Sequence, residues 1–257
     1  MTSACPVASD PSAGPCGTWR IVAWEEADAA TLLDGSLRLL DALADEPVPA
    51  LRWYRASSPA VILGRGQAAA SAGAVAQPLP VLTRHSGGGA VLLDRGLLSL
   101  DVALPAGHPL LDGDIGAVFE RVGAAWADAL GLLGVPGITV HRGPSTARRR
   151  GTDRDRLLAA VCYATLGRGE VLAGGRKLVG LAQRRRRHGA LVQCGLLRRW
   201  RPGILLDALG ADPTDADVAR RAVGLDELLD PPPPDAAVMA AVELALARVG
   251  GGPWHSG

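Results

Sequence analysis

Lys177 is the only lysine among the 27 basic residues of this chain, which contains no asparagine at all. The chain is rich in alanine, glycine, arginine and proline, which suggests a bias that exchanges lysine for arginine wherever the protein tolerates it. A lysine that persists under such a bias is either left by chance or does what a guanidinium cannot. An ammonium is a compact point donor, whereas a guanidinium is a broad planar fork of nearly fixed charge. In Gly174-Gly175-Arg176-Lys177-Leu178-Val179-Gly180 the amine stands at the entry of a strand. From there it could reach into a cleft and hold a carbonyl or phosphate oxygen by a charge-assisted bond.

A second segment is Arg84-His85-Ser86-Gly87-Gly88-Gly89-Ala90-Val91-Leu92-Leu93-Asp94. Three glycines between apolar runs weaken a strand, but they let main-chain N–H groups approach a ligand closely. With Arg84 beside them, such donors suit phosphate or carboxylate oxygens; a plain hairpin turn is the competing reading. The GxxxxGK[ST] pattern is absent, so this is not a Walker loop. The third feature is Cys162, 15 residues before Lys177. A thiol near a lysine and several arginines favours the nucleophilic thiolate; otherwise it is a small buried hydrophobe. Cys194, in mid-strand, lacks such neighbours and reads as buried.

The elements that must position these residues follow from periodicity and punctuation. Thr18–Trp24 reads as a strand, and Glu25–Ala44 carries alanine and leucine at helical spacing. From Leu51 to Pro105, short apolar runs are cut by glycine and proline, predicting strands at Leu51–Tyr54, Ala60–Leu63, Val81–Thr83, Ala90–Leu93 and Leu97–Leu104. Asp112–Leu133 predicts an amphipathic helix and Gly137–His141 a strand. Gly143–Arg156 is polar and arginine-rich and reads as a mobile loop. Strands at Leu178–Gln183 and Ala190–Cys194 flank a turn at Arg184–His188. After Pro202 the chain turns helical, and Pro231–Pro234 is a stiff spacer before a helix at Asp235–Val249. This order predicts an α+β fold with a mixed β-sheet and flanking helices, not a regular βαβ alternation.

The bulk numbers bound the function. A length of 257 residues at 48% hydrophobic content can bury a sizeable core, built mainly from leucine, valine and alanine because only six Trp, two Tyr and one Phe are present. A net charge of +1 supplies no general drive toward nucleic acid or membrane. No signal peptide is evident, and Val122–Val140 is too broken by Asp128, Pro136 and glycines to read as a span. Residues 1–17 read as a disordered leader containing Cys5 and Cys16. With no CxxC pair, reduced thiols and a cytoplasmic location are expected. No metal-ligand spacing is present.

The glycine-rich segment, the Lys177 segment with His188-Gly189, and the turn Leu63-Gly64-Arg65-Gly66-Gln67 together resemble the lipoate–protein ligase A and octanoyltransferase family, whose catalytic domain is shared with biotin–protein ligases. The resemblance runs from about Thr18 to Leu197. It implies a biotin/lipoate ligase-like catalytic domain at 18–210, followed by a short helical C-terminal extension at 211–257. By that match Arg84, Gly87, Gly88, Gly89, Ala90, Val91 and Leu92 would contact the phosphates and acyl group of an acyl-adenylate. Lys177 would grip the acyl carbonyl and phosphate, and Gly180, His188 and Gly189 would line the substrate site.

The expected activity is attachment of lipoate or octanoate to a lysine of a lipoyl-domain protein such as the glycine cleavage H protein or a 2-oxoacid dehydrogenase E2 subunit. In the ligase form, ATP with Mg2+ activates the acid. In the alternative form, octanoyl-acyl carrier protein or another lipoyl domain donates the group through a thioester on Cys162. A cysteine followed by an aromatic, as in Cys162-Tyr163, marks that second branch. Ser86-Gly87-Gly88-Gly89 is the ligase form of the loop, yet Leu92-Leu93-Asp94 lacks the family's histidine and the Arg-Asn-Asp segment has no counterpart. A non-catalytic acyl- or nucleotide-binding relative is the remaining alternative. The runs Arg184–Arg187 and Arg148–Arg150, with Arg198, Arg199 and Arg201, read as a solvated face or as a docking patch for an acidic carrier.

Overall fold

The computed structural model describes residues 19–67, 79–147, 150–250 and 254–256. The expected leader at 1–17, with Cys5 and Cys16, lies outside the described residues. The chain opens with β1 (Trp19–Ala27), α1 (Ala29–Asp41), β2 (Ala50–Ala56), β3 (Ala60–Leu63), β4 (Val81–Thr83), β5 (Val91–Leu93) and β6 (Leu97–Pro105). It continues through α2 (Ile115–Leu132), β7 (Ile138–Val140), α3 (Asp153–Ala160), β8 (Val171–Ala173), β9 (Arg176–Arg186) and β10 (Gly189–Leu197). The last elements are α4 (Pro202–Ala208), α5 (Ala216–Ala219), α6 (Asp235–Gly250) and β11 (Trp254–Ser256).

An 8-stranded sheet has the order β11-β1-β2-β6-β10-β9-β8-β7, and a 3-stranded sheet has the order β4-β3-β5. Both are mixed: β1 runs parallel to β2 and β11, β3 runs parallel to β4, and the other pairings are antiparallel. The expected α+β fold with a mixed sheet is what forms.

Alternation along β6 divides the large sheet into two unlike faces. Leu98, Leu100, Val102 and Leu104 join Leu51, Trp53, Val192 and Leu196 under α2 and α6 in the main core. Trp53 meets Trp126 of α2 edge-on, with ring centroids 5.7 Å apart. The opposite face carries Leu97, Ser99 and Asp101, flanked in register by Arg52 and Tyr54 on β2 and by Gln193 and Gly195 on β10. Small and polar side chains there leave room between the large sheet, α1 and the small sheet. All nine residues of β6 are buried, so this polar row is enclosed.

Several boundaries differ from the sequence reading. β1 runs on to Ala27, and α1 starts only at Ala29, because Asp28 accepts N–H bonds from Ala30 (2.9 Å) and Thr31 (3.0 Å) as an N-cap. Those bonds hold the Asp28 carboxyl below the usual aspartate range, the Thr31 N–H contributing most. The expected loop at 143–156 ends in α3, opened by a capping box between Thr152 and Asp155. That helix has no buried residue and hence no amphipathic period to read. β9 continues through Arg184–Arg186, which leaves only Arg187 and His188 as the hairpin turn. Among the described residues, no helix is long and apolar enough to cross a membrane.

Candidate active site

Three segments that stand apart in sequence converge on the main chain at 160–162. The glycine-rich loop supplies Ala90, whose carbonyl accepts from Cys162 N (2.9 Å) and whose N–H donates to Ala160 O (2.6 Å). From the Gly64–Gln67 turn, the Gln67 amide donates to the same Ala160 carbonyl (3.0 Å) and accepts from Gly64 N (2.9 Å). Lys177 of β9 reaches over to donate to the Cys162 carbonyl (2.9 Å).

Contact this close requires glycine. A Cβ on Gly89 would stand 2.7 Å from Cys162 N, and one on Gly64 would stand 2.1 Å from Gly88 O. Gly88 itself sits at φ +103°, a conformation L side chains rarely adopt.

Arg84 has a different role from a free anion-binding arginine. It is buried and turns inward: Nη2 donates to Gly87 O and Gly89 O, both at 2.8 Å, and Nε donates to Gly87 O at 3.2 Å. The guanidinium therefore shapes the loop by satisfying the loop's own carbonyls.

Lys177 is 1% exposed. Its ammonium donates to Glu170 Oε1 (2.6 Å), Cys162 O (2.9 Å) and Thr165 O (3.2 Å), with Cys162 Sγ at 3.9 Å. Three donors thus meet three oxygens, and the thiol is the next neighbour. The Lys177 backbone is clamped from the C-terminal part of the chain, donating to Arg221 O (2.9 Å) and accepting from Val223 N (3.0 Å).

Tyr163, next to the cysteine, lies buried over two small residues paired across β9 and β10, Gly180 and Gly195. Its hydroxyl donates to Gly195 O at 2.6 Å. A Cβ at Gly195 would come within 2.7 Å of that hydroxyl. Burial raises the Tyr163 phenol well above its ordinary range, and the nearby Cys162 and Glu170 charges push the same way.

Cys162 is half-buried and borders two cavities at once. One is a narrow, mainly apolar pocket running across the polar face of the sheet from Cys162 and Tyr163 to Leu33, Tyr54 and Ile62, with Val91 and Leu93 on its wall. Ser99, Gln193 and Gly195 line it as well. Behind this row lies a buried network: Asp101 accepts from Ser36 Oγ (2.6 Å) and Arg52 Nη1 (2.9 Å), and Arg52 also pairs with Glu25 (2.7 Å). Burial pushes the Asp101 carboxyl up, and the Ser36 and Arg52 contacts oppose that shift. Ser86 donates to Gln193 Oε1 (2.8 Å), which ties the glycine-rich loop to this network. The other cavity is open and polar, bounded by Gly87–Gly89, Arg150, Thr165, Glu170 and Lys177.

The structure brings together Lys177, Cys162, Arg84, Gly87, Gly88, Gly89, Ala90, Val91 and Gly180, but not every expected site residue. His188 and Gly189 sit at the far end of the β9–β10 hairpin, with His188 Nε2 3.9 Å from Asp41. Gly189 is required there by packing, since a Cβ would lie 2.3 Å from Leu104 O. Neither borders the two cavities. Leu92 packs on the opposite side of the small sheet, with Val61, Leu63 and Leu205. Among the arginines, Arg198 and Arg199 pair with Asp226, Arg184 donates to His85 O, and Arg148 and Arg149 lie outside the described residues. Glu170 and Tyr163 escaped the sequence reading as site residues. A signal existed for Glu170, the sole acidic residue between Arg156 and Leu206.

Residues 28–247 match the model of the lipoyl protein ligase A/B catalytic domain. The chain is 30% identical over 228 residues to the octanoyltransferase LipM of Moorella thermoacetica, covering 84% of this chain and 80% of that protein. Protein Ta0514 of T. acidophilum, solved with bound lipoic acid, superposes with a TM-score of 0.68 at 20% identity, covering 94% of this chain and 88% of that one. A lipoate-protein ligase A bound with ATP gives a TM-score of 0.66 at 20% identity, with the same coverage. These two likenesses establish the fold.

Proposed function

The chain belongs to the lipoyl protein ligase A/B catalytic-domain family, and on that premise we propose that it transfers an octanoyl group to a lipoyl-domain lysine through a thioester on Cys162. It is an acyltransferase of the lipoate-ligase and octanoyltransferase group; the donor and the route are the proposed part. One observation carries the reading. Cys162 stands where the narrow apolar pocket meets the open polar cavity, with its sulfur 3.9 Å from the Lys177 ammonium.

In the first half-reaction the Cys162 sulfur attacks the carbonyl of an octanoyl thioester. The new S–C bond forms as the old one breaks, and the donor leaves as a thiol carrying the proton that Cys162 gave up. The acyl chain lies in the apolar pocket, which excludes water from the thioester. In the second half-reaction the acceptor lysine amine enters from the polar cavity and attacks the Cys162 thioester. An amide forms, and Cys162 leaves and regains a proton from the attacking amine. The Lys177 charge stabilises both the sulfur anion and the oxyanion of each tetrahedral intermediate. Holding chain and thiol in one cleft supplies much of the remaining acceleration.

Activation of the free acid by ATP is the second reading, supported by the polar cavity beside Gly87–Gly89 and Arg150. Against it, Arg84 and Lys177 direct their donors at protein oxygens, so a triphosphate finds few unspent donors there. The thiol chemistry suits a reducing compartment, in keeping with a cytoplasmic enzyme.

Incubation with a lipoyl domain and either octanoyl-acyl carrier protein alone or octanoate with ATP, followed by intact mass of the acceptor, separates the routes. Transfer from the carrier alone, with a hydroxylamine-labile octanoyl adduct on Cys162, is expected. ATP-dependent transfer that survives Cys162→Ala would overturn the proposal.

A further inference from the structure

Among the described residues Glu170 is the one acidic side chain that meets Lys177, and the ion pair is almost wholly enclosed, with the two side chains 1% and 6% exposed. Enclosing two charges is a poor way to gain stability, because desolvation offsets their attraction and an apolar pair of similar volume often does better. The carboxylate is also held by its surroundings: Oε2 accepts from Gly167 N (2.7 Å), and Oε1 accepts a second bond from Leu181 N (3.3 Å). One of these donors belongs to the turn ahead of β8 and the other to β9, so Glu170 is fixed independently of the lysine. Its oxygen makes the shortest of the three Lys177 contacts.

We infer that Glu170 is a positioning residue for Lys177, supplying the counter-charge that holds its amine in place and aimed at Cys162. Without that carboxylate, a buried ammonium left with two carbonyl partners loses its counter-charge, and burial favours the neutral amine. The cation beside the sulfur is then lost or displaced. The other titratable and charged groups around the amine are Cys162 and Tyr163 on the turn, Arg84 in the glycine-rich loop and Arg150 across the polar cavity. Arg84 and Arg150 are cations and the buried Tyr163 phenol is held neutral, so apart from the Cys162 sulfur that the amine serves, none of these could stand in for Glu170 as a counter-charge.

This inference deepens the thioester reading and rests on it only for the importance of Cys162. Its test therefore reads thiol chemistry and not acyl transfer. Alkylation by iodoacetamide is followed at the Cys162 peptide by mass spectrometry between pH 6 and 10. Cys194, whose thiol burial pushes up to about 12, serves as an unreactive internal reference.

Glu170→Gln, close in shape, is expected to slow alkylation at pH 7 by about tenfold and to move the profile to higher pH. Glu170→Asp, which withdraws the charge by one methylene, falls between Gln and wild type. In a Lys177→Met background the Glu170→Gln effect should vanish, because the carboxylate acts through the lysine. A folded Glu170→Gln protein with a wild-type profile would overturn the inference, as would an undiminished effect in the Lys177→Met background. If Glu170→Gln does not fold, Glu170→Asp decides, and a wild-type rate in that variant overturns it. Altered alkylation in a protein that never forms an acyl-Cys162 would uphold the inference while defeating the thioester route.

Discussion

At the scale of single residues, a point-like ammonium fits a place where a guanidinium cannot. Lys177 has oxygen acceptors at three corners and the Cys162 sulfur beyond them, in a space walled by Tyr163 and the Gly180 backbone. An arginine keeps the charge but spreads it over a plane that three convergent acceptors do not match. Lys177→Arg is therefore expected to lower kcat/KM for transfer by about 10²–10³-fold, the range for losing one well-placed electrostatic contribution to charge that develops in the transition state. Acceptor mass spectrometry under saturating donor measures this, and near-normal turnover would remove Lys177 from the reaction centre. The lysine's isolation was legible in the composition. The identity of its counter-ion was not, because Glu170 sits seven positions away, across a β-bulge between Val171 and Leu172 that breaks simple alternation.

At the scale of elements, the glycine-rich loop works through what it lacks. Without a Cβ, Gly89 lets the loop run against the 160–162 segment, and Ala90 then grips that segment from both sides. A methyl at Gly89 must push the Cys162 turn away, since the obstructing atoms are backbone. Gly89→Ala is thus expected to destabilise the protein by about 1–3 kcal/mol and to reduce octanoyl-Cys162 formation more than it reduces folding. Thermal unfolding and trapping of the adduct measure the two effects separately; an adduct yield equal to wild type would contradict the bracing role. The glycines were read in sequence as openings for ligand N–H contacts. In the folded chain they also bring two segments of main chain together, which local pattern cannot reveal because the second segment, at 160–162, is far off in sequence.

At the scale of the molecule, the two faces of the large sheet divide the labour. One is packed with aliphatic residues and tryptophans under α2 and α6, while the other holds the pocket. The C-terminal part of the chain is bound into both functions. Val238, Val242, Ala245 and Leu246 of α6 lie in the main core, and Arg221 and Val223 hold the Lys177 backbone. Leu246→Ala, at a fully buried position, is expected to cost about 2–5 kcal/mol. Urea unfolding measures the loss, and a loss below 1 kcal/mol would place α6 outside the cooperative core.

By itself the sequence determined the α+β class, most strand positions between 51 and 105, and the residue types around which the chemistry is built. Those are local properties: alternation, punctuation by glycine and proline, and a lone lysine among arginines. Tertiary structure alone decided that Arg84 turns inward to its own loop and that His188 is carried to the far end of a hairpin. It also decided that Cys162 lies at the junction of an apolar pocket and a polar cavity. Each of these depends on which strands become neighbours and in what register, and a one-residue shift in register would turn every such side chain to the other face.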